Sequence, residues 1–243
     1  MLDSLTLIDL EQAYSRTSKD IQNTPLIRSG FLSKRWEADV FLKCEQYQEI
    51  GAFKIRGASN FCRLLHANSD KSQVITHSSG NHAQAVAYMA SILGYNANIV
   101  MPSNSNKVKI ANAKRWGATI HHCEPTIEAR EAKANTLVKE KKGVLVPPYD
   151  HEWIIAGQAT ASMECFREAT SIDIIMTPLG GGGLLSGTCL ARNYFSKQTE
   201  VIGSEPNNAR DGFEGLKVGK RVTSHKPNTI ADGLRTTVGK IPF

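Results

Sequence analysis

The sequence predicts an α/β protein with two open, largely parallel sheets, a small domain being inserted within a larger one. Three observations point there. Short β-rich runs recur along the 243 residues, helical patterns separate most of them, and 41% of the residues are apolar, enough for a core. The runs fall at residues 39–45, 73–76, 97–102, 118–123, 144–147, 172–178 and 200–203. Helical periodicity fills 81–93, 106–116 and 126–142. The block from 69 to 146 holds four runs and three helices, which is enough for a small open-sheet domain. Residues 1–68 and 147–243 then form the larger one. Parallel neighbours joined by helices should cross over right-handedly, and the cleft between the domains is the expected ligand site.

Composition narrows the class of function. Charged residues make up 21% of the chain and the net charge is only +6. The short basic run at Lys139, Lys141 and Lys142 reads as a solvated helix end, and no aromatic interleaving suggests nucleic-acid binding. No uninterrupted apolar span predicts a membrane helix, and Met1 to Leu5 lack the pattern of a signal peptide. Cys44, Cys62, Cys123, Cys165 and Cys189 are odd in number and form no CxxC pair, so they read as reduced core thiols of a cytoplasmic protein. His121, His122 and Cys123 are consecutive on a predicted strand and alternate faces, which makes them structural rather than a metal site.

Four segments carry the chemistry. In the first, Gly51-Ala52-Phe53-Lys54-Ile55-Arg56-Gly57-Ala58, a lysine lies among apolar side chains between two glycines that allow close approach. Desolvation by Phe53 and Ile55 would favour the neutral amine, suited to a Schiff base with a carbonyl. In the second, Ser78-Ser79-Gly80-Asn81-His82 follows a strand and opens a helix. That is either an anion site or an ordinary N-cap. The third is Gly180-Gly181-Gly182-Gly183 between a strand and a helical run. Its bare N–H groups form a nest for a phosphate, without the spacing of a dinucleotide fingerprint or the Lys-Ser/Thr of a P-loop. The fourth, residues 204–211, places Glu205 and Asp211 near free carbonyls. From spacing alone it is a solvated loop.

A reactive lysine, an anion-binding turn and a phosphate nest together suggest pyridoxal phosphate. Here the chain closely resembles the serine racemase and serine/threonine dehydratase family of the tryptophan-synthase-β-like fold. The resemblance runs through residues 23–26, 41–58, 76–84, 155–158, 178–183 and 229–233, in order along nearly the whole chain. It implies that Lys54 holds the cofactor and carries a proton, that Phe53 lines the ring, that Asn81 bonds its hydroxyl, and that Gly180, Gly181, Gly182 and Gly183 bind its phosphate. It implies a substrate carboxylate on Ser78, Ser79, Asn81 and His82, with Arg130 a weaker candidate. Ser79 would return a proton from the opposite face if the enzyme racemises. Glu205, the Ala209 carbonyl and Asp211 match the family's site for a divalent cation (Mg, Ca or Mn).

The implied activity is dehydration of L-serine or L-threonine to a 2-oxo acid and ammonia, with racemisation of serine open at the same site. A homodimer is the expected assembly. The family's chain is longer, and its later part supplies a partner for the pyridine nitrogen. The large domain is therefore expected to be incomplete, with an unpaired sheet edge and an exposed apolar face. A cofactor-binding fragment completed by a partner segment is the rival reading, and a racemase by main activity is another. A sulfhydrylase-type synthase fits the Lys54 and Asn81 motifs less well.

Overall fold

A computed structural model describes residues 5–69, 71–78, 80–224 and 227–243. Helix α1 (Leu7–Thr17) begins at a capping box, with Thr6 and Asp9 bonding each other's backbone N–H. Strand β1 (Leu26–Arg28), helix α2 (Gly30–Trp36) and strand β2 (Phe41–Lys43) follow, with β1 and β2 antiparallel. Helix α3 (Lys54–Asn68) leads into β3 (Gln73–His77), α4 (Asn81–Leu93), β4 (Asn96–Pro102), α5 (Lys107–Arg115), β5 (Thr119–Cys123), α6 (Ile127–Lys141) and β6 (Val144–Leu145). The chain closes with α7 (Glu152–Glu168), β7 (Ile174–Pro178), α8 (Gly183–Phe195), β8 (Glu200–Ser204) and α9 (Asp211–Val218).

Strands β3 to β6 form one sheet in the order β5-β4-β3-β6, every pair parallel. Its inner strands are apolar runs with both faces covered. Val74, Ile75 and Thr76 of β3 and residues 97–102 of β4 are buried. Strands β7 and β8 form a second, two-stranded parallel sheet. Ile174 and Met176 of β7 stay more than half exposed.

Helix α7 is the axis of the remainder. Every residue from Ile154 to Cys165 is buried, so no polar face is left for solvent. Small residues let its neighbours approach. A Cβ on Gly157 would lie 2.6 Å from the Arg56 carbonyl oxygen and 2.7 Å from Gly57 Cα, and one on Gly187 would lie 2.7 Å from Ala159 N. Helices α3 and α8 thus cross α7 almost backbone to backbone. The close approach that Gly57 allows is that of α7, since a Cβ there would meet Gln158 Nε2 at 2.5 Å. Ile55 likewise points into the core rather than flanking the amine.

A charged cluster is buried beside this crossing. Fully buried Arg56 donates to both oxygens of Glu45 at 2.7 Å and to both oxygens of Glu164 at 2.8 and 2.7 Å. Lys43 adds an ion pair to Glu164 at 2.8 Å. All five cysteines are free; Cys189, expected in the core, lies exposed on α8. His121 on β5 bonds Asn98 on β4 at 3.0 Å. Among the described residues, no helix is long and apolar enough to cross a membrane.

Candidate active site

In a parallel sheet joined by helices, each helix starts at the C-terminal end of the strand before it, and ligands collect at that edge. Here the first turns of α3, α4, α5, α6 and α8 all reach one cavity of about 300 Å³, through Lys54, Asn81, Lys109, Ile127 and Gly183. Helix N-termini carry unpaired N–H groups and positive partial charge, so their convergence favours an anionic ligand.

Lys54 opens α3 and points across this cavity. Its Nζ donates to the Pro148 carbonyl at 2.7 Å. The Phe53 and Tyr149 ring centroids lie 5.3 and 5.8 Å away. Burial lowers its pKa from 10.5 to about 8. The residue keeps some accessible surface along the cavity, so water reaches part of its stem.

Four glycines face the amine. Gly182 has φ 91°, in the region that favours glycine. A Cβ on Gly181 would fall 2.1 Å from the Tyr149 ring, and one on Gly182 2.5 Å from Pro242 Cβ. The loop is therefore glycine both to turn and to let Tyr149 and Pro242 close over it. Tyr149 is fixed from the other side by Thr236, oxygen to oxygen at 3.0 Å.

The cavity also takes in Ser78, Gly80, Asn81 and His82 at the start of α4. His82 Nε2–H donates to the Val146 carbonyl at 3.1 Å, which leaves Nδ1 as a buried acceptor without a hydrogen-bond partner among the described residues. Burial, then the nearby Lys54, lowers the His82 pKa to about 3, and burial with Arg130 lowers that of His77 to about 4. Both rings are neutral at physiological pH. Arg130 lines the far wall from α6 and has no carboxylate within ion-pair distance among the described residues. Ser79 lies outside the described residues.

The structure thus gathers Phe53, Lys54, Ser78, Asn81, His82, Arg130 and Gly180 to Gly183 around one space. It adds residues that the motifs did not single out. Tyr149 caps the glycine loop, and Lys109 forms an ion pair with Asp232 across the cavity. Both Lys109 and Tyr149 follow a parallel strand, which is the signal that would have found them. Glu205, Ala209 and Asp211 lie apart, at the start of α9. Glu205 accepts from Gly212 N at 3.0 Å and Phe213 N at 2.8 Å, Asp211 accepts from Val238 N at 2.8 Å, and Ala209 is buried. No group of three or more His, Cys, Asp or Glu suited to a metal occurs among the described residues.

Residues 17–243 match the family model described as pyridoxal-phosphate dependent enzyme. The chain is 38% identical to serine racemase of Dictyostelium discoideum over 242 residues, 99% of this chain and 75% of that protein. It is 40% identical to L-threo-3-hydroxyaspartate ammonia-lyase of Saccharomyces cerevisiae over 228 residues, 94% of this chain and 70% of that protein. The solved structure of maize serine racemase matches with a TM-score of 0.93 at 37% identity, over 97% of this chain and 72% of that one.

Proposed function

The chain belongs to the pyridoxal-phosphate dependent enzyme family, and from that premise we propose that it deaminates L-serine or L-threonine: the β-hydroxyl leaves as water, and hydrolysis then takes one water back up, releasing ammonia and leaving a 2-oxo acid. One observation carries the reading: a desolvated lysine amine faces a glycine loop and two helix N-termini across a single cavity. The same features fit the cofactor. The amine suits its aldehyde, the loop before α8 suits its phosphate, and the volume suits a small ring with a small substrate. When bound, the cofactor supplies the electron sink for the pair left on the substrate α-carbon.

The chain's own groups do the rest. Burial lowers the Lys54 pKa to about 8, which favours the neutral amine able to take the α-proton. The resulting ammonium can hand that proton to the departing β-hydroxyl, which leaves as water. Gly180 to Gly183 hold the phosphate, Phe53 lines the ring and Asn81 meets its hydroxyl. Ser78, Asn81 and His82 hold the substrate carboxylate, His82 through its backbone N–H in the first turn of α4. Its Nδ1, an acceptor, suits a substrate O–H or N–H. Ser79 is the proposed proton donor for racemisation.

Arg130 supports a second reading of the substrate. A guanidinium on the cavity wall with no carboxylate in ion-pair range among the described residues suits a β-carboxylate, as in the hydroxyaspartate of the yeast relative's name. Glu205, Asp211 and the Ala209 carbonyl offer oxygen atoms of the right hardness for a divalent cation, and we propose a structural cation site there beside α9. The reading also takes the protein as a cytoplasmic homodimer, consistent with its free cysteines.

The first test is the visible spectrum of the purified chain with pyridoxal phosphate, before and after L-serine. A yellow band that changes with serine and is absent in Lys54→Ala is expected; a wild-type chain without that band sinks the reading. Turnover of L-serine, L-threonine and L-threo-3-hydroxyaspartate then ranks the substrates. Arg130→Gln should cut kcat/KM for the last more than tenfold while leaving L-serine nearly unchanged. Ser79→Ala should spare elimination and remove racemisation. A rise in melting temperature with Mg, Ca or Mn, lost in Asp211→Asn, checks the cation site.

A further inference from the structure

Helix α3 starts at the lysine itself. Its N-cap is Phe53, and no side chain caps its first turn. Lys54 is the first helical residue, so its direction depends on how firmly that bare turn is held. The holding is done from inside the protein. Arg56, two residues on, is fully buried and spans two carboxylates, Glu45 after β2 and Glu164 on α7. Thr24 bonds Glu45 at 2.6 Å, and Thr160 accepts from Arg56 at 3.1 Å. Gly157 abuts the Arg56 carbonyl, which pins the backbone at the same point.

Buried ion clusters contribute little net stability compared with apolar packing, so their geometry is the more informative property. A planar guanidinium gripping two carboxylates fixes orientation as an apolar side chain does not. We propose that Arg56 is a positioning residue. Its clamp on Glu45 and Glu164 fixes the first turn of α3 and thereby aims the Lys54 amine at the substrate α-carbon. The inference rests on the role of Lys54 proposed above. Misplacing a reacting group by about 1 Å can cost on the order of 100-fold in rate, so the effect should appear in kcat.

The test compares variants of the full chain loaded with pyridoxal phosphate. Arg56→Lys keeps the charge and loses the fork. Its kcat should fall tenfold or more, with KM within threefold, and the pH midpoint of the visible band should move. Glu164→Gln weakens one arm with little change of shape and should lower kcat about threefold. Leu10→Ala, in the core shared by α1 and α7, controls for lost stability and should leave kcat and the band midpoint unchanged. Wild-type kcat and band midpoint in a folded Arg56→Lys would overturn the proposal. If Arg56→Lys does not fold, wild-type kcat in Glu164→Gln overturns it. A wild-type chain that shows neither colour nor turnover rejects the role of Lys54 instead.

Discussion

Lys54 meets a conflict between charge and burial that can be measured without any cofactor. Its pKa is about 8 in the fold and about 10.5 in a solvated chain. Below pH 8 the folded chain carries a desolvated ammonium. Between pH 8 and 10.5 the unfolded chain binds the extra proton, so this group's contribution to stability rises with pH. With each tenfold change in proton affinity worth about 1.4 kcal/mol, the penalty at neutral pH is at most about 3.5 kcal/mol, and water in the cavity reduces it. The cofactor-free Lys54→Met variant should therefore be more stable than the wild type at pH 7, with the gap closing by pH 10.5. Urea titrations at a series of pH values would show it, and a pH-independent gap would contradict it.

At the scale of elements, glycine placement makes sharper claims than propensity does. Gly157→Ala puts a methyl group against the backbone of α3, at 2.6 and 2.7 Å, where no flexible side chain can yield. A loss of about 1–3 kcal/mol is expected from overpacking, read from the urea midpoint. Gly181→Ala meets the Tyr149 ring. It should leave the fold intact and displace that ring from Thr236, so affinity for pyridoxal phosphate should fall by tenfold or more in a spectral titration. The two glycines were unequally legible. The run of four announced a ligand loop, because no helix or strand needs it. Gly157 sits within a helix, and its meaning appears only when α3 is laid across it. The same divide runs through the rest of the fold. The helix at Asn81–Leu93 and strands β3, β4 and β5 of the four-stranded sheet could be read from the sequence because each is five residues or longer and flanked by turns. Strand β1, of three residues, is too short to carry a pattern, and α7, buried from Ile154 to Cys165, has no polar face there to set a period. In the site, Lys54, Asn81 and the glycines were legible from their motifs. Tyr149 and Lys109 were not, because only tertiary placement brings them to the cavity.

For the molecule as a whole, acid should be more damaging than its net charge of +6 suggests. His77 and His82 stay neutral in the fold, with pKa values near 4 and 3, but take up protons near 6.5 when unfolded. Stability must therefore fall as pH drops below about 6.5. Glu45 adds to this lower down. Burial would raise its pKa, but its bonds to Arg56 outweigh that and hold it below 4.5, so its contribution is lost as pH falls through the folded value. Melting temperatures from pH 7 to 4 should decline steadily, and His77→Gln should make the decline shallower. Refolding should show a different consequence of the architecture. The first and last strands of the four-stranded sheet, β3 and β6, lie side by side, with Val74 opposite Val144 and Ile75 opposite Leu145. The segment between α3 and α7 thus enters and leaves this sheet at neighbouring points. Its contacts are closer along the chain than those joining α3 to α7, so it should collapse first and act as a clasp that shortens the loop the two helices must close. Pulse-labelled hydrogen exchange should then find β3 and β4 protected before α7, and residues 69–146 expressed alone should fold.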